Sequence, residues 1–383
     1  MVHICFLSKT TITHCVGGVP DLLNSLAKGL VKAGHKVSII STSLSKTTSG
    51  SDISDNFNIY YLRDTSPGKL SSQYFRKIVE MVGFIKPDIV HSMDAACYGL
   101  LRSKTNIPVI TTFHGTSYDE WRTRLNTFNP LEPIITAREM AIAAIYGYRY
   151  FTYERFVGDN STALIATSKE QVGVYNKIYK PKHVYTVYNG IDTGIFKPMK
   201  EIIAEPEHLL AVARLEVEKG VQNVIRAMYI LRNVRPNLKL TIVGDGYYKN
   251  KLVRLVKKLG LSEKVSFKGN VNFSELPVLY NKCSIFVNHT NRQNGYDLTN
   301  AQAMACGKPV ISTNIGSYPT LINDTKDGYL IPLKNIRSLA MEINSVLMNK
   351  TIGTQAIKKI QSNFTLDLMV NRHIAVYKEV LQC

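Results

Sequence analysis

The sequence contains no apolar run of about 18 residues, so no membrane-crossing helix is expected from it. It has no Cys-x-x-Cys pair. Its six cysteines, Cys5, Cys15, Cys97, Cys283, Cys306 and Cys383, are scattered and share no metal-ligand spacing with histidine. That distribution excludes a disulfide scaffold and a zinc finger, and it fits reduced thiols in a cytoplasmic compartment. The opening MVHICFLSK turns polar too soon for a secretory leader and reads as a first strand. Acidic residues are scarce, 29 against 47 Lys and Arg, for a formal net charge of +18. Such an excess suits anionic partners such as nucleotide phosphates or an acidic lipid surface. The basic residues are dispersed along helical stretches, with no basic run and no compact nucleic-acid motif. Nucleic acid is therefore not expected as a partner.

What is present is alternation. At 383 residues the chain exceeds the size at which a single core stops growing, roughly 250–300 residues, so two domains are expected. VHICFLS is followed by DLLNSLAKGLVKAGH, whose leucines fall at helical spacing with Gly34 as the stop, and then by KVSIIST. PDIVHSM, PVITTFHG, ALIATS and KHVYTVYNG continue the series. After the polar, proline-bearing KPMKEIIAEPEH it restarts with LLAVARL, LKLTIVGDG, KVSFKG, CSIFVNH, PVISTN and GYLIPL. Strands alternating with helices give parallel βαβ units, so the fold class is α/β with two Rossmann-like domains. The expected limits are 1–200, 201–362 and a final helix over 363–383.

Several short stretches carry chemistry. HCVGGVPDLL puts Gly17 and Gly18 at a strand-to-helix turn, where backbone amides approach an anion. TTFHG places His114 just past a strand's C-terminal edge, where open α/β sheets bind ligands. Taken alone it reads first as a structural histidine, the commoner fate of a lone His, with a sugar-positioning or proton-exchanging role as the alternative. AVARLEVEKG puts Arg214 and Lys219 in one loop after a strand, able to clamp a diphosphate through paired hydrogen bonds and a point charge. Gly244 of IVGDGYY follows another strand. NGYDLTNAQAMACGKPVIS, residues 294–312, reads as a loop, a helix start, a glycine stop and a strand. YGYRYFTYERF (146–156) interleaves aromatics with Arg149 and Arg155. It reads as the packed and solvated face of a helix, with a membrane interface as the alternative.

Together VGGVPDLLNSLAKGLVKAGHKVSII, TTFHG, VYNGIDTGIF, AVARLEVEKG, LTIVGDG, VSFKGNV and AMACGKPVIST resemble glycosyltransferase family 4 over nearly the whole chain. These are retaining enzymes with two facing Rossmann-like domains, the GT-B architecture, and a C-terminal helix that crosses back to the N-terminal domain. The resemblance implies an N-terminal acceptor domain, a C-terminal donor domain and closure between them. It gives Arg214 and Lys219 the donor diphosphate, where their charges stabilise the leaving group. It gives His114 the transferred sugar and makes it, with Arg214 and Lys219, a catalytic candidate. The implied donor site includes Gly17, Gly18, Gly244, Val271 of VSFKGNV, and the stretch Asn294, Gly295, Tyr296, Asp297, Leu298 and Thr299, with Gln302. No Asp-x-Asp triplet occurs, so no metal and no cofactor beyond the donor are expected.

The chain departs from the family where it matters. The family pattern resembles EGFGLxxxEAMACGxPV, with one glutamate on the sugar and one on the ribose; those positions are Asn294 and Gln302 here, and its fourth residue, glycine, is Asp297. A charge-assisted hydrogen bond is worth roughly 1.5–3 kcal/mol against roughly 0.5–1.5 for a neutral one. Two such exchanges would weaken donor binding by one or two orders of magnitude unless the pocket has adapted. The expected function is transfer of a hexose, mannose by preference, from a GDP- or UDP-linked donor to a glycan or glycolipid acceptor. The protein would be cytoplasmic, with a peripheral contact to anionic membrane as an additional expectation. The alternative is a non-catalytic sugar-nucleotide or glycan-binding protein, which the missing carboxylates motivate. A sugar-nucleotide epimerase comes third.

Overall fold

The computed structural model describes residues 1–15, 17–45, 50–54, 57–126, 133–293, 298–348 and 352–382, with backbone only over 50–54. Contacts divide the chain into two units. The first comprises Met1–Trp121, Ala141–Gly190 and Leu366–Cys383, the second Arg122–Met140 and Ile191–Thr365. The polar stretch near residue 200, expected to mark the division, follows a change already made at Gly190–Ile191. The Ile191 amide donates to the Phe364 carbonyl at 2.7 Å, and Phe196 packs on Phe273 and Tyr280, which commits this stretch to the second unit.

The first unit is built on an eight-stranded sheet: β1 (His3–Leu7), β2 (Lys36–Thr42), β3 (Gly50–Ser54), β4 (Phe57–Leu62), β5 (Ile89–Met93), β6 (Val109–Thr112), β7 (Ala163–Ala166) and β8 (Val184–Thr186). The strand order is β3-β4-β2-β1-β5-β6-β7-β8, parallel throughout except for β3 against β4. Period-2 alternation feeds a core on each face. Ile4 and Phe6 of β1 join Leu22, Leu26 and Leu30 of helix Val19–Lys32 on one side. Cys5 and Leu7 join Phe75, Ile78 and Val82 of helix Ser72–Ile85 on the other. The long C-terminal helix Leu366–Gln382 lies in the first core and touches helix Val19–Lys32 so closely that a Cβ on Gly29 would come within 2.4 Å of Val370. A buried polar chain fastens it: the Tyr377 hydroxyl lies 2.7 Å from His91 Nδ1, and His91 Nε2 lies 2.8 Å from the Thr112 hydroxyl.

The second unit has a six-stranded parallel sheet of β9 (His208–Val212), β10 (Lys239–Val243), β11 (Val265–Gly269), β12 (Ile285–Asn288), β13 (Val310–Thr313) and β14 (Tyr329–Ile331), in the order β11-β10-β9-β12-β13-β14. Helices Val221–Leu231 and Ile336–Met348 pack on it. Both sheets reverse their winding once, between β1 and β5 in the first unit and between β9 and β12 in the second. At such a switch point the loops at the strands' C-terminal ends diverge and leave a crevice. Among the described residues no helix is long and apolar enough to cross a membrane.

Candidate functional site

In the second unit the loops leaving β9 and β12 meet at the switch point. The β9 loop carries Arg214 and, in the short turn Val217–Lys219, the buried Lys219. Gly220 ends that turn at φ 68°, and a Cβ there would sit 1.8 Å from the His289 carbonyl oxygen, so only glycine lets the two loops touch. The loops are then stitched together. The Asn291 amide and the Thr290 hydroxyl both donate to the Glu218 carbonyl, at 2.7 and 3.0 Å, and the Thr313 hydroxyl donates to the Thr290 carbonyl at 2.6 Å. Gly244, at the end of β10 with φ 119°, presses on the same loop: a Cβ there would lie 2.0 Å from the Ala213 carbonyl oxygen. Its role seen in the structure is to seat the Arg214 loop.

The electrostatics of this loop were not legible in advance. Arg124, from the segment Arg122–Met140, is buried with its guanidinium between three carboxylates. It lies 2.7 Å from Glu139 Oε2, 3.2 Å from Glu216 Oε2 and 2.9 Å from Glu218 Oε1. The Tyr247 hydroxyl donates to the other oxygen of Glu139 at 2.6 Å, and the Arg138 guanidinium stacks 3.4 Å over the Tyr247 ring. Glu216 also pairs with Arg214, whose side chain is otherwise 63% exposed. Burial raises the Glu216 carboxyl, but the hydrogen bond with Glu218 and the charges of Arg214 and Arg124 outweigh it and hold its pKa low. For Glu218, burial, the hydrogen bond to Glu216 and that group's negative charge push the pKa up to about 8. Folding thus favours one proton held between the pair, and that proton sets the negative charge presented to Arg214.

Helix Leu298–Ala305 continues from the β12 loop, with Leu298 and Thr299 in its first turn. Gln302 lies one turn further on, buried, and its Oε1 accepts the Tyr280 hydroxyl at 2.9 Å. Asn294, Gly295, Tyr296 and Asp297 lie outside the described residues. Gln293 precedes them, its amide donating to the Thr123 hydroxyl at 3.0 Å. Val271 is half-buried just past β11. The expected order of helix, glycine stop and strand is present: Gly307 takes φ 74° and β13 follows.

In the first unit Gly17 (φ 104°) and Gly18 (φ 61°) precede helix Val19–Lys32, and among the described residues nothing lies within 4 Å of where a Cβ would stand at either. His114 leaves β6 with Nε2 3.3 Å from Met93 Sδ at the end of β5. Burial lowers its pKa while Asp94 opposes the shift, so the imidazole is neutral and able both to donate and to accept. Asp94 itself sits at φ 58°, left-handed for a non-glycine residue, a strain of the kind that gathers at functional sites. Nearby, Glu154 is buried in a wide helical turn, Tyr150–Glu154, within the aromatic stretch. The Ser117 amide meets both its oxygens at 2.9 and 2.7 Å, and the Tyr179 hydroxyl donates to Oε1 at 2.6 Å. In the same stretch Tyr148 and Phe151 remain exposed while Tyr150 is buried.

Two family models match in succession, "Glycosyltransferase Family 4" over residues 16–194 and "Glycosyl transferases group 1" over 194–363. The N-acetyl-alpha-D-glucosaminyl L-malate synthase of Bacillus anthracis is 26% identical over 398 residues, covering 96% of this chain and 95% of that protein. Among solved structures, a sucrose-phosphate synthase from Thermosynechococcus elongatus superposes with a TM-score of 0.84 at 17% identity, covering 100% of both chains. Anabaena HepE, solved with UDP and glucose, gives 0.73 at 18% identity, covering 99% of this chain and 100% of that one. Both structures show the same GT-B fold.

Proposed function

Because the chain belongs to the family 4-like glycosyltransferases, its two halves matched in turn by that family's models, we propose that it is a retaining, metal-independent hexosyltransferase. The observation that carries this reading is the second unit's switch point, where Arg214 and Lys219 share one rigid loop. A leaving nucleoside diphosphate gains negative charge as its bond to the anomeric carbon breaks. Arg214 would meet it with a planar pair of donors and Lys219 with a fixed charge, a preorganised stabilisation of the transition state. The amides at the start of helix Leu298–Ala305 add the positive end of a helix dipole.

Retention in a single transfer step, without a glycosyl-enzyme, requires the acceptor hydroxyl to approach the face from which the diphosphate leaves. In this reading the leaving phosphate takes the hydroxyl proton, and no side chain need serve as nucleophile. His114, neutral and beside Asp94, would hold a sugar hydroxyl. Gln302 would face the ribose as an amide, its oxygen already given to Tyr280, so it offers the ribose a donor where a glutamate would accept. The donor is a GDP- or UDP-linked hexose, with GDP-mannose the first to test and UDP-glucose the second. The acceptor is taken by the first unit. Peripheral contact with anionic membrane would use the exposed Ile145, Tyr148 and Phe151, flanked by Arg149 and Arg155.

A thermal-shift and calorimetric screen of UDP, GDP, ADP and their sugars tests the donor half. Selective stabilisation by one sugar nucleotide, abolished in Arg214→Ala, is the expected result. The amide at Gln302 supports a second reading, a sugar-nucleotide-binding protein that does not transfer. Tight donor binding without turnover would select it.

A further inference from the structure

The first unit holds a pocket of about 250 Å³ that the donor chemistry does not use. That is slightly below the usual range for small-molecule sites, about 300–1,000 Å³, which favours a small polar ligand. It opens where the first sheet's crevice lies. Lys9 follows β1, Lys69 belongs to the loop after β4, Ser117 starts the helix after β6, and Arg149, Tyr153 and Glu154 come from the aromatic stretch. Three cationic side chains thus converge from three separate segments. Among the described residues none of the three forms an ion pair, and Arg149 has only the Tyr146 ring, 5.6 Å from its guanidinium carbon.

Among the described residues no nearby acid is paired with them. Glu154 lines the pocket, yet both its oxygens are turned to the Ser117 amide and the Tyr179 hydroxyl, and burial raises its pKa. Asp94, next to the pocket residue Ala95, acts electrostatically on His114 and Glu154. Three unpaired cations around a cavity repel one another, an arrangement that a bound anion relieves.

We propose that this pocket binds a phosphate or carboxylate group carried by the acceptor, so that the acceptor is a small hydroxylated anion or a lipid with such a headgroup. The inference rests on the transferase reading, in which the first unit holds the acceptor. Lys9, Lys69 and Arg149 would fix the anionic end, leaving a hydroxyl of the same molecule to face the ligand edge of the sheet near His114. They are binding residues, and the reaction itself stays as described above.

The test is calorimetry on the full chain with glucose 6-phosphate, L-malate, inorganic phosphate and neutral glucose, alongside flotation with phosphatidylinositol or phosphatidylcholine vesicles. UDP and GDP binding is measured on the same samples. One of the small anions is expected to bind at least tenfold more tightly than glucose, about 1.4 kcal/mol. Lys69→Met and Arg149→Met should each weaken it about tenfold, Lys69→Arg should restore it, and nucleotide affinity should not move. Selective flotation with phosphatidylinositol, lost in the same variants, supports the inference and assigns the anion to a lipid. Absence of both a small-anion preference over glucose and selective flotation, or binding indifferent to these substitutions, overturns it, even if the donor still binds. Loss of nucleotide binding with the anion still bound would instead overturn the transferase reading.

Discussion

Arg124→Met removes the one guanidinium that faces Glu139, Glu216 and Glu218 and keeps most of the side chain's volume. Breaking a buried ion pair by deleting one partner costs about 3–5 kcal/mol, because the remaining charge is left without compensation. For a unit of this size each kcal/mol shifts the melting point by about 2–4 °C, so the second unit should melt roughly 6–20 °C lower. The loss should depend on pH. Without Arg124, Glu216 and Glu218 keep their burial and mutual repulsion, which raise their folded pKa values above the unfolded value of about 4.3. Stability from such groups is fully present below the unfolded pKa and is lost as pH rises. Wild-type Glu216, held low partly by Arg124, already contributes at pH 5, so the deficit should be present there and grow towards pH 8. Within the same network Glu218→Gln should be nearly neutral at pH 7, since that carboxyl is already protonated there, its pKa being about 8. Glu216→Gln should destabilise, since that group is held ionised. Differential scanning calorimetry of the wild type and the three variants from pH 5 to 8.5 is the assay. A deficit for Arg124→Met below about 1 kcal/mol and flat with pH would refute the reasoning, as would equal losses for the two glutamine variants.

Gly220→Ala would place a methyl 1.8 Å from the His289 carbonyl oxygen at a left-handed φ. It should lower stability by at least 1–3 kcal/mol and weaken donor binding, read by denaturant titration and calorimetry. Gln302→Glu keeps the acceptor for the Tyr280 hydroxyl and returns a carboxylate to the ribose. Donor affinity should rise up to about tenfold, and an unchanged or weaker affinity would show that the pocket has been rebuilt around the amide. Tyr377→Phe removes the hydroxyl from buried His91 and should cost the first unit about 1–3 kcal/mol, measurable as faster amide exchange in helix Leu366–Gln382.

Periodicity made most of the architecture legible. The strands from VHICFLS to GYLIPL, the helix after the first strand and the last helix stand where apolar spacing put them. The hairpin of β3 and β4 escaped that reading, because β3 is a polar antiparallel edge that no crossover helix announces. The excursion of Arg122–Met140 into the second unit escaped it too. Its anchor is Arg124 among acids more than ninety positions away in sequence, and nothing local in WRTRL marks that arginine. Arg214 and Lys219 could be read from the spacing in AVARLEVEKG. Glu216 and Glu218, in plain view between them, could not, since their meaning comes from a partner that only folding supplies. The pocket's cations were hidden for the same reason: Lys9, Lys69 and Arg149 are single residues in three unrelated segments.

The central claim is transfer with retention at a site whose glutamates have become amides. Proton NMR of the reaction, with the donor selected by the screen and the preferred acceptor, or water where there is none, tests it most directly. The account predicts release of the nucleoside diphosphate and a first-formed product with the donor's anomeric configuration, both lost in Arg214→Ala. An inverted product, or bound donor that stays intact through long incubation, would contradict it.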